Sequence, residues 1–248
     1  MLKKYQTLLL PRVWPDRKTI GLILTLVLIA LVLILLDRYG IQRAYYQHFS
    51  DAEIYKGLKT IQPTFTAQIH FSVSCLVLLV AIPLLFHLIF PIEQIYHYGL
   101  SLRSALAHFP IYTLLLAIML PVLWIVSANP GFNQFYPMYK PIGLNDWLLY
   151  EMIYMLQFFA VEFFFRGFCL FRIEKFAGLY AIAIMVIPYG LLHIYKPLPE
   201  AIGSIGAGLI LGYLAIKTRS IWPGLFVHCG VAFSMDAFSL IRIGWFNS

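Results

Sequence analysis

Charged residues are scarce in this chain, since only 12% of its 248 residues are charged and 61% are hydrophobic. Soluble domains carry about a quarter charged residues, so the shortage argues against a protein whose main solvent is water. Cysteine is scarce too. The three cysteines, Cys75, Cys169 and Cys229, are an odd number, and each lies inside an apolar run. This pattern argues against a disulfide framework and against a cysteine-based zinc site. The sequence also lacks a nucleotide-binding glycine-rich loop and an internal repeat.

The basic residues give the chain a net charge of +7, but they do not gather on one polar face. They are scattered near the ends of apolar runs, where basic residues act as topology signals and contact lipid headgroups. We therefore expect membrane lipids as partners and no nucleic acid.

Long apolar runs are what the sequence has in abundance. The predicted spans are Ile20–Leu36, His70–Phe90, Ala105–Ser127, Trp147–Phe171, Leu179–Tyr195, Ala201–Ile216 and Ile221–Ile241. The first run follows basic residues as a signal peptide would, but it is too long and has no Ala-x-Ala cleavage site. The runs also lack the alternation of barrel strands. We predict an all-α polytopic transmembrane bundle of about seven spans, with six to eight as the range.

Two polar connections interrupt these runs. Asp37–Ile69 is predicted to hold an interfacial helix, and Asn129–Asp146 is predicted to form a folded, proline-rich loop at the headgroup level that could cover a site. We divide the chain into N-terminal membrane helices and loops (1–146) and a membrane core (147–248), and expect the two to form one continuous domain. A prokaryotic cell membrane is the expected location.

Ionisable side chains occur at depth in the C-terminal spans: Glu162, Arg166, His193 and His228. Such groups cost several kcal/mol in lipid, so an inward-facing functional site is the default interpretation. Glu162 and Arg166 are four residues apart and could instead be a structural clamp between helices. Each histidine alone could be a hydrogen-bonded packing residue. Together the glutamate and the two histidines could hold a water, take its proton and stabilise an oxyanion, or could ligate zinc.

Three short motifs carry these residues on the fourth, fifth and seventh predicted spans. They are Val161-Glu162-Phe-Phe-Phe-Arg166, Tyr189-Gly-Leu-Leu-His193 and His228-Cys-Gly-Val-Ala232. Over Trp147–Asp236 the chain resembles the family of CAAX prenyl proteases and bacteriocin-processing membrane proteins, abbreviated CPBP or Abi. That family carries Glu-Glu-x-x-x-Arg, aromatic-x-x-x-His and His-x-x-x-Asn.

The resemblance implies an intramembrane endopeptidase in which the first glutamate of the pair activates water together with a histidine, and the asparagine helps to form an oxyanion hole. This chain has Val161 and Ala232 at those two positions. Asp236 and Glu151 are conceivable replacements, because each lies roughly on the helical face of a motif residue, about 12 to 17 Å along the axis.

Three hypotheses follow for the function. In the first, Glu162 is the general base or water ligand, Arg166 fixes it, and His193 and His228 stabilise the tetrahedral intermediate of peptide hydrolysis. The substrate would then be a membrane-associated peptide or membrane protein, which could be lipidated. In the second, the chain is a catalytically silent relative that binds a lipid or a membrane-protein partner. In the third, a small transporter, the charges would line a solute path, but no matching pair of interrupted helices is visible.

Overall fold

A computed structural model describes residues 16–41, 44–45, 64–91 and 95–247 of the protein. Within these ranges the regular elements are helices, and the sole strand-like pairing is one antiparallel bridge between Leu100 and Ser220. The predicted all-α class is therefore confirmed.

We number the described helices α1 to α8. They are Arg17–Leu35 (α1), Phe65–Ile89 (α2), Leu102–Val126 (α3), Pro130–Phe135 (α4), Leu144–Ala177 (α5), Tyr180–Leu191 (α6), Leu198–Thr218 (α7) and Trp222–Arg242 (α8). π-helical turns lie directly after α1, within α2 and within α5, at Leu36–Gly40, Val77–Ala81 and Phe163–Cys169. Short 3₁₀ segments occupy Ile95–Tyr98 and Trp245–Asn247.

Six of the described helices are long and apolar enough to cross a membrane, and α6 is apolar but has only 12 residues. Six long helices and one short helix agree with the predicted seven spans. The protein is an integral membrane protein. The interfacial helix was predicted within Asp37–Ile69, of which residues 42–43 and 46–63 lie outside the described residues. The division into parts 1–146 and 147–248 stays a prediction.

Side-chain caps mark where several helices begin. Asp16 accepts a hydrogen bond from the backbone N–H of Thr19 at 2.7 Å, and Thr64 and Ser101 cap α2 and α3 in the same way. These caps satisfy N–H groups that have no partner within the helix. Because an unsatisfied backbone group is costly near lipid, the caps set the ends of the membrane helices.

The core forms around α5, which packs against α2 on one side and against α8 on another. Five phenylalanines of α5 are buried in this core: Phe163, Phe164, Phe165, Phe168 and Phe171. α3 packs along α8, and α6 packs along α7. The α6–α7 contact is close, because a Cβ at Gly208 would lie 3.0 Å from Val186, and one at Gly212 would lie 3.0 Å from Met185. These two glycines therefore serve helix packing.

Arg172 lies near the end of α5, where sequence reasoning counted it among the basic topology signals. The structure buries it completely. Its guanidinium donates to the Phe90 carbonyl at 3.2 Å, to the Tyr98 hydroxyl at 3.1 Å and to the Thr25 hydroxyl at 3.2 Å. Arg172 therefore joins α1, the end of α2 and α5 at one point.

Candidate active site

Glu162 and Arg166 form an ion pair inside the bundle. Oε1 of Glu162 lies 3.0 Å from Nη1 of Arg166, and the two side chains are 0% and 1% exposed. The spacing of four residues along α5 brings them to one face, as the sequence predicts. A carboxylate buried without a countercharge would cost several kcal/mol, so the arginine makes the buried glutamate tolerable.

A π-helical turn begins directly after Glu162. It covers Phe163–Cys169 and contains Arg166. Such turns are frequent at functional sites because the extra residue re-aims the side chains that follow. Gly167 lets the backbone of the Ile95–Tyr98 segment lie against this turn, since a Cβ at Gly167 would lie 2.8 Å from the Tyr98 carbonyl oxygen. Sequence periodicity does not reveal a π-turn, so this feature was not predicted.

His228 reaches Glu162 from α8. Its Nδ1 lies 3.0 Å from Oε1 of Glu162, the same oxygen that faces Arg166. A carboxylate oxygen only accepts, so Nδ1 is the donor and Nε2 is left for another partner. The imidazole packs on the Phe158 ring at 4.5 Å between centroids, and His228 remains 15% exposed.

Gly224 lies one turn before His228 and makes this contact sterically feasible. A Cβ at Gly224 would lie 2.9 Å from Oε2 of Glu162, an oxygen that has no hydrogen-bond partner among the described residues. The absence of a side chain here lets α8 approach the carboxylate. Sequence reasoning missed this glycine, although its position one turn before a buried histidine in Pro-Gly was the available signal.

His193 is connected to Glu162 and Arg166 through the Tyr189 ring rather than through a hydrogen bond with Glu162. The guanidinium carbon of Arg166 lies 4.0 Å from the centroid of the Tyr189 ring, and the rings of Tyr189 and His193 are 4.8 Å apart. The Nδ1 of His193 lies 3.1 Å from the Tyr189 carbonyl oxygen, which makes this nitrogen the donor.

His193 lies in the turn after α6, outside the six long helices. Burial, together with the nearby charges of Lys196 and His228, lowers the pKa of His193 to about 4, although its bond to the Tyr189 carbonyl opposes this shift. The imidazole is therefore neutral at neutral pH, and since Nδ1 carries its proton, Nε2 carries a lone pair. The influence of His228 also indicates that the two imidazoles share one neighbourhood.

The two departures from the family motifs lie in apolar surroundings. Val161 is half-buried and packs against the aromatic core of α5. Ala232 is buried in a second cluster with Trp147, Tyr154 and Phe158. Neither position brings a polar group to the Glu162–His228 contact.

Glu151 and Asp236, the conceivable replacements, are not beside the histidines. Both are buried, and their carboxyl groups face each other across the α5–α8 contact. The structure therefore brings them to each other and leaves Glu162 without a second carboxylate.

The Asn129–Asp146 connection is folded, as predicted, and contains α4. The Tyr136 hydroxyl donates to Glu200 on α7 at 2.6 Å and accepts from Lys196 at 2.8 Å. The Lys140 ammonium donates to the carbonyls of Asn133 and Tyr136 at 3.1 and 3.0 Å. The bonds of Tyr136 tie the loop to the end of the bundle where α7 begins, and the bonds of Lys140 hold the loop's own backbone together.

The predicted zinc ligands Glu162, His193 and His228 do not form a recognisable metal centre. Among the described residues, no group of three or more His, Cys, Asp or Glu side chains is placed to hold a metal ion. Oε1 of Glu162 and Nδ1 of His228 also bond to each other. Zinc binding stays a prediction, and the mechanism proposed here uses no metal.

The comparison with known families agrees with the motifs. Residues 143–234 match the model of the family described as Type II CAAX prenyl endopeptidase Rce1-like. No curated protein and no solved structure matches the chain. The bacteriocin-processing side of the resemblance stays a prediction. The matched segment contains Glu162, Arg166, His193 and His228, and over this segment the resemblance is confirmed: the chain is similar to the type II CAAX prenyl endopeptidases.

Proposed function

We propose that the protein is an intramembrane endopeptidase that hydrolyses a peptide bond in a membrane-associated substrate, with His228 as the catalytic base. The observation that carries this proposal is the 3.0 Å contact between Nδ1 of His228 and Oε1 of Glu162 within a buried, charge-paired set. The similarity of residues 143–234 to prenyl endopeptidases supports the reaction class.

Glu162 acts in this proposal as a positioning residue rather than as the base. Its side chain is fully buried, one oxygen faces Arg166 and His228, and the other lies against Gly224. A carboxylate bonded to Nδ1 fixes the tautomer and orientation of the imidazole and stabilises the imidazolium that forms. This assignment replaces the base role that the sequence suggested for Glu162.

The reaction then proceeds in two proton transfers. Nε2 of His228 takes a proton from water while the water oxygen bonds to the substrate carbonyl carbon. The imidazolium next gives that proton to the amide nitrogen as the C–N bond breaks, which regenerates the neutral imidazole. His193 assists by accepting a hydrogen bond from the attacking water at Nε2, the nitrogen left with a lone pair by its bond to the Tyr189 carbonyl. Arg166 balances the charge of Glu162 throughout.

The substrate class is a peptide held at the membrane, and a lipidated C-terminal peptide is the first to test. The test uses the full chain purified in detergent or in liposomes with a fluorogenic prenylated peptide. We expect His228→Ala to lower kcat by about 10²- to 10⁴-fold, the usual contribution of a general base. Glu162→Gln should lower kcat with KM nearly unchanged, because a positioning residue acts on the chemical step.

Glu174→Gln is the matched control. Glu174 lies at the far end of α5 and pairs with Arg219 at 2.7 Å, away from the histidines. This variant should keep wild-type activity. Full cleavage by purified His228→Ala protein would overturn the proposal.

The second candidate is a catalytically silent membrane protein that binds a lipid or a membrane-protein partner. Its support is the apolar packing of Val161 and Ala232. It predicts that Val161→Glu with Ala232→Asn leaves the biological role unchanged or impairs it. Peptide hydrolysis that depends on Glu162 in the wild-type protein would remove this alternative.

A further inference from the structure

A second buried polar contact joins the same two helices as the Glu162–His228 contact. Glu151 is eleven residues before Glu162, about 16 Å along the helix axis, and Asp236 is eight residues after His228, about 12 Å along its own helix. Glu151 is 4% exposed and Asp236 is 0% exposed. The contact between Glu151 and Asp236 is therefore separate from the candidate active site.

The carboxyl groups of Glu151 and Asp236 are hydrogen-bonded to each other across the α5–α8 contact. An ionised carboxyl group has only acceptor oxygens, so two ionised carboxylates cannot form this bond. One of the two groups must therefore carry a proton. Like charges that share a buried site also disfavour each other's ionisation, which gives the same result.

The other donors at the pair are neutral. The Trp147 indole donates to Oε1 of Glu151 at 2.8 Å, and the Tyr150 hydroxyl is hydrogen-bonded to Asp236. These donors orient the two carboxyl groups without changing their charge. No ion pair among the described residues joins Glu151 or Asp236 to a basic side chain.

One proton also balances the charge of the surroundings. Lys140 and Lys196 act on Asp236 from the loop side. Lys196 pairs with Glu200 at 3.6 Å, so its charge is already offset. The Lys140 ammonium donates to two backbone carbonyls and brings one positive charge to the neighbourhood. With one proton the pair keeps one negative charge, which Lys140 offsets. Loss of that proton would leave one uncompensated negative charge in the interior, where it is costly.

The remaining titratable groups near the pair do not supply a second countercharge. They are Tyr154 on α5, Cys229 on α8 and Tyr136 in the loop. Tyrosine and cysteine side chains are neutral at pH 7. The charge of the cluster at neutral pH is therefore set by the proton that Glu151 and Asp236 hold.

We propose that Glu151 and Asp236 share one proton and act as a pH-sensitive latch between α5 and α8. The latch is closed while the proton is held, because the hydrogen bond then draws the two carboxyl groups together. It opens when alkaline pH removes the proton, because two adjacent carboxylates repel each other strongly in an interior of low dielectric constant. The latch lies on the two helices that carry Glu162 and His228, but its existence does not depend on the proposed hydrolysis.

The first test detects the proton directly by infrared spectroscopy of the purified full chain at pH 7, in a detergent without ester groups. Exposed carboxyl groups are ionised at this pH, so the C=O stretching band of a protonated carboxyl group reports a buried one. The wild type and Glu174→Gln should show this band. The double variant Glu151→Gln with Asp236→Asn should lack it, because two amides of the same shape can bond to each other without a proton. A wild type without the band would overturn the proposal, whether or not the double variant folds.

The second test measures stability against pH. The carboxyl groups of the unfolded chain release their protons above about pH 5, whereas the folded pair keeps one. The folded state then binds one proton more than the unfolded state, so stability falls as the pH rises until the pair releases its proton. From pH 7 to pH 8 the unfolding equilibrium constant should rise about tenfold more in the wild type than in the double variant. Denaturant titration in detergent measures both, and Glu174→Gln should follow the wild type. The same pH dependence in the wild type and the double variant would contradict the latch.

Discussion

The two ends of the α5–α8 contact differ in how they compensate a buried carboxyl group. At one end, Glu162 is compensated by a fixed cation, Arg166, on its own helix and by His228 opposite. At the other end, Glu151 and Asp236 face each other without a fixed cation in the described residues. A carboxylate with a built-in countercharge can orient a neighbour for chemistry. A carboxyl pair without a fixed countercharge can be neutralised only by a proton or by a bound ligand. Four predictions, from the largest expected effect to the smallest, test this contrast.

The largest effect should come from removing the fixed cation. Arg166→Gln leaves Glu162 bonded to His228 but without its fixed countercharge inside the bundle, and breaking a buried ion pair in this way costs about 3–5 kcal/mol. Denaturant titration of the purified protein in detergent measures the loss in the free energy of unfolding. Arg219→Gln is the control, because the Arg219–Glu174 pair is largely exposed on the arginine side and should cost less than about 1 kcal/mol.

The double variant Glu162→Gln with Arg166→Gln tests whether the uncompensated charge of Glu162 causes the loss of stability. Since neither charge is then left alone, much of the stability lost in Arg166→Gln should return. Equal losses in the single and double variants would show that packing of the arginine on Tyr189, and not charge compensation, dominates.

A smaller effect should come from crowding the compensated carboxylate. Gly224→Ala places a methyl group 2.9 Å from Oε2 of Glu162. Overpacking of this kind costs about 1–3 kcal/mol, and the shifted carboxylate should also lower kcat. Gly203→Ala on α7 meets open space and should change neither quantity measurably. Unchanged activity in Gly224→Ala would mean that the Glu162–His228 distance does not limit the reaction.

At the end that holds Glu151 and Asp236, removing one carboxyl should not lower the free energy of unfolding, in contrast to Arg166→Gln. Asp236→Asn should leave the free energy of unfolding unchanged or raise it by about 1 kcal/mol, because a neutral amide replaces a buried carboxyl that has no fixed countercharge. The same titration as for Arg166→Gln measures it. A loss of several kcal/mol would contradict the contrast between the two ends.

The smallest effect concerns Lys140 in the loop above the pair. Burial lowers the pKa of Lys140 below 10.5, although the charge of Asp236 opposes this shift. Between the lowered pKa and 10.5 the unfolded chain binds more protons than the folded one, so this residue makes stability rise with pH there. Lys140→Gln should flatten that rise in a pH series of unfolding midpoints. Lys175→Gln, at an exposed position, should keep the wild-type slope.

The sequence predicts the spans well because length and hydropathy determine them. α3 begins at Leu102 and ends at Val126, close to the predicted Ala105–Ser127, and α8 lies within a residue of its prediction at each end. Other ends differ by four to six residues: α5 runs to Ala177 past the predicted Phe171, and α2 begins at Phe65 before the predicted His70. At α6 the predicted span reaches Tyr195, while the helix ends at Leu191. Hydropathy cannot show this end, because Leu192 and Ile194 are as apolar as helical residues.

The site was predictable only where its contacts run along one helix. The spacing of Glu162 and Arg166 gives their contact, but the contact of Glu162 with His228 depends on how α5 and α8 are aligned, which single-helix periodicity does not contain. The contact between Glu151 and Asp236 also depends on the alignment of α5 and α8, so the sequence did not predict it. Each was correctly placed on the face of its own helix, and only packing shows that the two faces meet.

The shortness of α6 has a consequence for the membrane itself. Twelve helical residues rise about 18 Å, whereas the hydrocarbon layer is about 30 Å thick. The bilayer around this helix must thin, or headgroups and water must descend to the turn where it ends, and that turn carries His193. Local thinning of this kind brings water to the imidazoles at a depth that is normally dry. For the proposed hydrolysis, which would consume water inside a bilayer, the length of this one helix would set the route by which water arrives.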